Sequence, residues 1–245
     1  DPDNPLYGIQ FYLDTDATGY ESGNFLWELT ETWEYHSKYM IGDYYDGKIN
    51  FTGTEDDSLF YCWKTGRIYD LYTFTTHALS SGKITRYPLN YVSGRTDRLS
   101  VRYSLLVKQY AIGRQAYIYW NAVQHQSQQT VGLYETQPVS VAGNIHCISD
   151  PGETVLGYFM VSSYTEKRIF VPRNFNFPIY TPPCDPYGYD PQSLTIYLSG
   201  FRPENYPVYL LNLSGTDMGP WDYADQTCFD CTMLGGTVSK PDFWQ

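Results

Sequence analysis

The side chains able to do chemistry in this chain are carboxylates, cysteines and four scattered histidines. Glu28, Glu31 and Glu34 recur every third residue, and glycoside hydrolysis uses two carboxyls about 5 to 9.5 Å apart across a sugar bond. On a strand rising about 3.3 Å per residue, Glu28 and Glu34 share a face but lie about 20 Å apart, while Glu31 points the other way. The stretch alone cannot supply the pair, and a solvated strand face is expected. Asp14-x-Asp16-x-Thr18-Gly19 reproduces the first half of a calcium loop, in which alternate oxygens converge on the ion and a glycine allows the sharp turn. Phe25 stands where the bidentate glutamate belongs, with Glu21 the only nearby substitute, so Asp14, Asp16 and Thr18 are expected to form a turn. Cys228-x-x-Cys231 together with Cys184 has the donors for three-quarters of a zinc site. A fourth ligand at suitable spacing is missing. Disulfide pairing of Cys184 with either Cys228 or Cys231 is the expectation; it would close a loop of about 45 residues, worth about 4 kcal/mol on the chain-entropy model.

The histidines (His36, His77, His125 and His146) lack the short spacing that prearranges a metal site, and no Gly-x-Ser-x-Gly, Walker-type or dinucleotide loop occurs. No catalytic residue, cofactor or metal is assigned.

The elements that must position these residues are mostly strands. In residues 99–110, Leu99, Val101, Tyr103, Leu105 and Val107 alternate with Ser100, Arg102, Ser104 and Lys108, a half-buried strand. After Gly113 the period becomes helical, with Ala116, Tyr119/Trp120 and Val123 at i, i+3/i+4 and i+7. This predicts one central helix, about Arg114 to Gln129. Further strands are expected at residues 8–14, 24–35, 60–63, 67–75, 139–148, 157–163, 167–171, 194–198 and 206–213, with turns at Asp46-Gly47 and residues 164–166. Ser80-Ser-Gly82 and Tyr87-Pro88 punctuate the segment leading to residues 92–98, which read as the loop before the strand at residues 99–110. Pro172, Pro178, Pro182, Pro183, Pro186 and Pro191 then fall within twenty residues, interleaved with Phe175, Phe177, Tyr180, Tyr187 and Tyr189. Proline cannot donate to a ladder, so this segment is expected to wrap over the body. The fold class is α+β, predominantly β, with antiparallel strands in a single β-rich domain spanning residues 1–245.

Composition narrows the partners. Sixteen basic against 27 acidic residues give a net charge of -11, which repels nucleic-acid phosphates. Five cysteines fit an exported chain, and the odd count leaves Cys147 unpaired. Twenty-six tyrosines and six tryptophans suit surfaces that contact something while staying soluble.

The segments Arg102-Tyr-Ser-Leu-Leu-Val-Lys-Gln-Tyr110, Ala116-Tyr117, Trp120, Gln137-Pro138, Gly143-Asn-Ile145, Leu156-Gly-Tyr-Phe159 and Lys167-Arg-Ile-Phe170 resemble a family of Bacteroidetes outer-membrane lipoproteins classed only as a domain of unknown function. Glu31-Thr-Trp-Glu34, Cys62-Trp63, Cys228-Phe-Asp-Cys231, Gly235-Gly236 and Lys240-Pro-Asp-Phe-Trp244 fit it too. The resemblance implies an N-terminal lipid anchor and an N-terminal β-sandwich outside this chain, and genes beside TonB-dependent receptors. On that basis the chain, which opens at Asp1-Pro-Asp-Asn-Pro without a signal peptide, is expected to be the C-terminal domain of a longer lipoprotein. The expected role is non-catalytic: an accessory or cargo-capture partner of a TonB-dependent β-barrel receptor, held at the outer membrane and exposed at the cell surface, with Tyr180, Tyr187 and Tyr189 as its interface. A stand-alone glycan- or peptide-binding module is the alternative, and a hydrolase a more distant one.

Overall fold

The computed structural model describes residues 7–18, 23–77, 79, 81–129 and 141–245. The expected Val139, Gln137-Pro138, Gly19 and Glu21 lie outside them. The chain builds β1 (Gly8–Asp16), β2 (Asn24–His36), β3 (Tyr44–Tyr45), β4 (Ile49–Asn50), β5 (Tyr61–Thr75), β6 (Lys83–Ser93), β7 (Arg102–Ala111), α1 (Arg114–Gln129), β8 (Tyr164–Pro172), α2 (Pro191–Leu198), β9 (Val208–Asn212) and β10 (Trp221–Tyr223). Every ladder is antiparallel, and the architecture is predominantly β, α+β.

The body is a four-stranded sheet in the order β5-β2-β7-β8, with the two-stranded β1-β6 ribbon across one face. Alternation explains the layer. Phe25, Trp27, Leu29 and Tyr35 all point from β2 toward Phe11 of β1 and Ile84, Leu89 and Val92 of β6. Ring pairs such as Phe11–Tyr103 at 5.6 Å and Trp27–Tyr87 at 5.1 Å fill the space between the layers. Each fully buried side chain of this size contributes about 1.5 to 3 kcal/mol of burial. On the opposite face, α1 seats Ala116 and Trp120 over Leu26, Leu71 and Tyr110.

Residues 194–198, expected as a strand, belong to helix α2. Asp190 caps it by accepting from the N–H groups of Gln192 and Ser193, both at 3.1 Å, with Pro191 opening the first turn. Leu194 and Leu198 are buried one above the other, whereas Ile196 is 67% exposed. A five-residue run with apolar ends satisfies both periods, and the Asp-Pro cap decides between them.

Residues 157–163 are not a strand, and 164–166 are not a turn but the start of β8. The reason is Asn144, whose side-chain amide donates to Phe159 O at 2.7 Å and accepts from Phe159 N at 2.8 Å. A side chain takes the groups a ladder would have used. Residues 141–148 are likewise irregular. Conversely, the segment punctuated by Gly82 and Pro88 holds strand β6, which runs into the start of the expected loop and, among the described residues, pairs only with β1, so that it tolerates Pro88 on an edge. A register break in that pairing puts Arg86 at φ 52°, steadied by Asp14 Oδ1, which accepts from its N–H at 2.6 Å. Finally, β7 begins three residues later than the alternation suggested, because Leu99 closes a 3-10 turn, Asp97–Leu99, with its side chain buried.

Residues beyond 175, together with β3 and β4, form a second, smaller core. The sheet β10-β9-β3-β4 packs Tyr45, Val208 and Leu210 against Leu194 and Leu198 of α2. Two disulfides, Cys184–Cys228 and Cys62–Cys231, fasten this region, the second directly to β5. Cys147 is free.

Candidate functional site

Each of the three glutamates uses both carboxylate oxygens on protein donors. Glu28 accepts from Arg67 Nη2 at 2.6 Å and Tyr110 OH at 3.0 Å. Glu34 contacts His36 Nε2 at 2.9 Å and accepts from Trp244 Nε1 at 2.9 Å. Glu31 lies inside the sandwich, only 6% exposed, accepting from Arg98 Nε at 2.9 Å and Tyr103 OH at 3.0 Å. Burial first, and then the Glu31 charge, push the Tyr103 phenol far above its ordinary range. The expected wet face of β2 is also partly covered: Thr32 and Ser104 are wholly buried beneath the chain's last residues. There Phe170 meets Trp244 edge-on at 5.3 Å, and the Arg168 guanidinium lies 3.5 Å from the centre of the Phe243 ring.

Asp14 and Asp16 do not converge on an empty site. Asp14 holds Arg86 N, while Asp16 accepts from Thr18 N at 2.9 Å beside Lys83 at 3.4 Å. The hydrogen bonds from Thr18 hold the Asp16 carboxyl below its usual range. Among the described residues no group of three or more His, Cys, Asp or Glu is placed to hold a metal ion.

The Pro-rich segment, residues 175–189, runs along the outside of the body as a strap. Tyr180 N donates to Gly94 O at 2.8 Å, Phe177 packs into the body core, and Cys184 pins the middle. Tyr180 and Tyr187 are 50% and 59% exposed. Tyr189 is half-buried, stacked 5.2 Å from Tyr197 in the smaller core, so its ring holds the strap down.

Two cavities flank the body. One, of about 310 Å³, runs between β1 and β8 over Leu105, Val107 and Ile169. Its polar residues are largely committed: Asp14 to Arg86, Gln109 to Trp27 Nε1 at 2.9 Å, Glu166 to Lys108 at 3.6 Å. The other, of about 380 Å³, opens where strap, body and C-terminal region meet, between residues 35–38, the turn ahead of β7, Arg173, residues 181–185 and Thr227. Clefts between structural units are where small ligands usually bind.

Here several polar groups are also committed, Ser37 Oγ donating to Tyr39 O at 3.0 Å and Thr227 Oγ1 to Asp225 Oδ1 at 2.6 Å, but the two cations of the lining lack carboxylate partners among the described residues. Lys38 and Arg173 form no ion pair among the described residues, although Arg173 Nη1 donates to Ser100 O at 3.2 Å. Ser100 Oγ is shut off from solvent without a hydrogen-bond partner. Asp97 is balanced by Lys64 at 3.7 Å, outside the lining. Sequence reasoning set His36 aside, named Cys184 only as a disulfide partner, and missed Lys38, Ser100, Arg173 and Asp185 as site residues. These come from four separate segments, and only the prolines around Cys184 marked the place.

No curated protein and no solved structure matches this chain. A family model described as a domain of unknown function (DUF4249) matches residues 1–168, well over half of the length, and the chain belongs to that family.

Proposed function

We propose that this domain is a non-catalytic binding subunit of an outer-membrane lipoprotein, tethered by a lipid anchor outside this chain and working as an accessory or cargo-capture partner of a TonB-dependent β-barrel transporter. Membership in the DUF4249 family and the resemblance to Bacteroidetes lipoproteins supply the setting. The observation that carries the reading is the strap: stiffened by prolines, cross-linked at Cys184 and presenting Tyr180 and Tyr187 to solvent. Such a surface can dock without first being ordered, which keeps the entropic cost of association low. Two disulfides agree with an oxidising, extracytoplasmic compartment. The engagement of every oxygen of Glu28, Glu31 and Glu34 favours binding over hydrolysis. Confinement to one membrane raises effective concentration, so a contact of only micromolar affinity is occupied.

The test is co-purification from gently solubilised outer membranes. The expected result is a β-barrel in the eluate, weakened when Tyr180 and Tyr187 are replaced together by Ser while Tyr189 is kept. Elution of the protein alone would remove the complex from consideration.

A further inference from the structure

The cleft beneath the strap has the chemistry of a ligand site, and we propose that it binds a carboxylated sugar: a uronic acid, free or at the end of a glycan. The proposal rests on the reading of the domain as a binding module, but not on the barrel as its partner. Its volume of about 380 Å³ is at the small end of ligand pockets, which run from about 300 to 1,000 Å³. Small clefts take ligands of monosaccharide size.

The charges set the class. In a protein of net charge -11, two cations without ion-pair partners among the described residues, Lys38 and Arg173, stand on the wall of one cleft. A ligand carboxylate would satisfy both, Arg173 through its planar fork and Lys38 as a point charge. One anion fits better than several, because Asp185 also lines the cleft and Asp97 is already balanced by Lys64. A free carboxylate such as Asp185 is a strong acceptor for hydroxyl groups. The Thr181 hydroxyl adds a group that both donates and accepts, and the Thr227 hydroxyl, which donates to Asp225 Oδ1 at 2.6 Å, adds an acceptor. One negative charge together with several hydroxyls describes a sugar acid better than it describes phosphate or a simple fatty acid.

The walls favour this ligand for a second reason. Pro182, Pro183 and Cys184 form one side, and the Cys184–Cys228 disulfide joins it to the segment carrying Thr227. The site is therefore shaped before the ligand arrives, and little ordering entropy is lost on binding.

The experiment is calorimetric or NMR titration of the 245-residue chain with glucuronate, with glucose and inorganic phosphate as controls. Expected is saturable glucuronate binding with Kd of about 1 mM or tighter, and no binding of glucose at about ten times that concentration. The double substitution Lys38→Gln with Arg173→Gln is expected to weaken glucuronate by about tenfold or more, as loss of charge-assisted hydrogen bonds does. Both side chains are on exposed residues, so the fold should survive, which circular dichroism checks. Asp185→Asn is expected to weaken glucuronate while leaving phosphate unchanged. Absence of glucuronate binding at about 10 mM, the same affinity in the double variant, or phosphate binding as tightly as glucuronate would each overturn the assignment. A failed barrel pull-down with an intact titration removes only the transporter partnership, and the converse result removes only the ligand.

Discussion

In the body, β2 runs for 13 residues and β5 for 15, and β2 has a ladder on both sides. After residue 175 the longest strand has five residues and the longest helix eight. There, aspartate side chains do what ladders do in the body. Asp190 caps α2, and Asp225 and Asp230 each accept from the backbone N–H two residues on, at 2.9 and 2.8 Å, to start 3-10 turns. Side-chain hydrogen bonds of this kind satisfy a turn but do not propagate, so the region gains little cooperativity from its backbone. Covalent links supply what the backbone does not. The two regions thus show two ways to hold a chain: by periodic burial, or by caps and cross-links around a small core.

The largest test of that contrast is removal of the cross-links. Cys62–Cys231 spans 169 residues and Cys184–Cys228 spans 44. On the chain-entropy model they stabilise by about 5 and about 4 kcal/mol. Replacing Cys62 and Cys231 by Ala is expected to lower the urea midpoint the most and to release the C-terminal region ahead of the body, seen as protease cleavage after residue 175 while the sheet remains protected. Cleavage spread evenly over both regions would mean that they form one cooperative unit.

A smaller effect comes from one buried carboxylate in each region. Glu31, buried in the body, pairs with Arg98, which is half-exposed. Asp43, 3% exposed, gathers only neutral donors: Thr52 N at 3.0 Å, Asn212 Nδ2 at 2.6 Å and Trp221 Nε1 at 2.6 Å. Removing Glu31 leaves the buried Tyr103 hydroxyl without its acceptor and a cavity inside the sandwich, while the Arg98 side chain, 37% exposed, keeps water, so Glu31→Ala should cost about 3 kcal/mol. Asp43→Ala should cost about 2 kcal/mol, since no charge is left unpaired. Denaturant titration of both variants checks the order. The reverse order would show that the smaller core depends on its polar centre more than the body does.

The same contrast explains what could be read from the sequence. β2, β7 and α1 were legible because burial imposes a period on long elements: Phe25, Trp27 and Leu29 on a strand, Ala116 and Trp120 on a helix. Residues 194–198 and 157–163 were misread because a single cap or a single Asn144 amide decided their conformation, and neither leaves a period. The pairing of Cys184 with Cys228 was one of two open alternatives, and Cys62 was not matched with Cys231, since connectivity follows the fold. The cleft was the least legible feature, because Lys38, Ser100 and Arg173, which follow β2, precede β7 and follow β8, line one cleft only once those strands are paired.

The smallest expected effect lies on the seam between the two regions. Tyr35, at the end of β2, donates its hydroxyl to Cys231 O at 2.7 Å, and a side chain at Gly236 would collide with that phenol. Burial pushes the Tyr35 phenol up to about 12; the charges of Asp97 and Asp230 add to the rise, and a backbone hydrogen bond with Gly236 opposes it. A folded value above the unfolded one means that the neutral form is the one the fold prefers. The stability it confers is complete below pH about 10 and is lost as the pH rises through about 12, because the unfolded chain releases the proton first. Tyr35→Phe should therefore be slightly less stable at pH 8, by about 1 kcal/mol for the lost hydrogen bond, yet lose stability less steeply above pH 10. Urea midpoints at pH 8, 10 and 11 read both effects, with Cys147 alkylated so that its thiolate cannot attack a disulfide. Parallel slopes for Tyr35→Phe and the unmodified sequence would show that the seam is not where alkali acts, and that the phenols inside each region, Tyr103 in the body and Tyr223 in the smaller core, carry the alkaline limit instead.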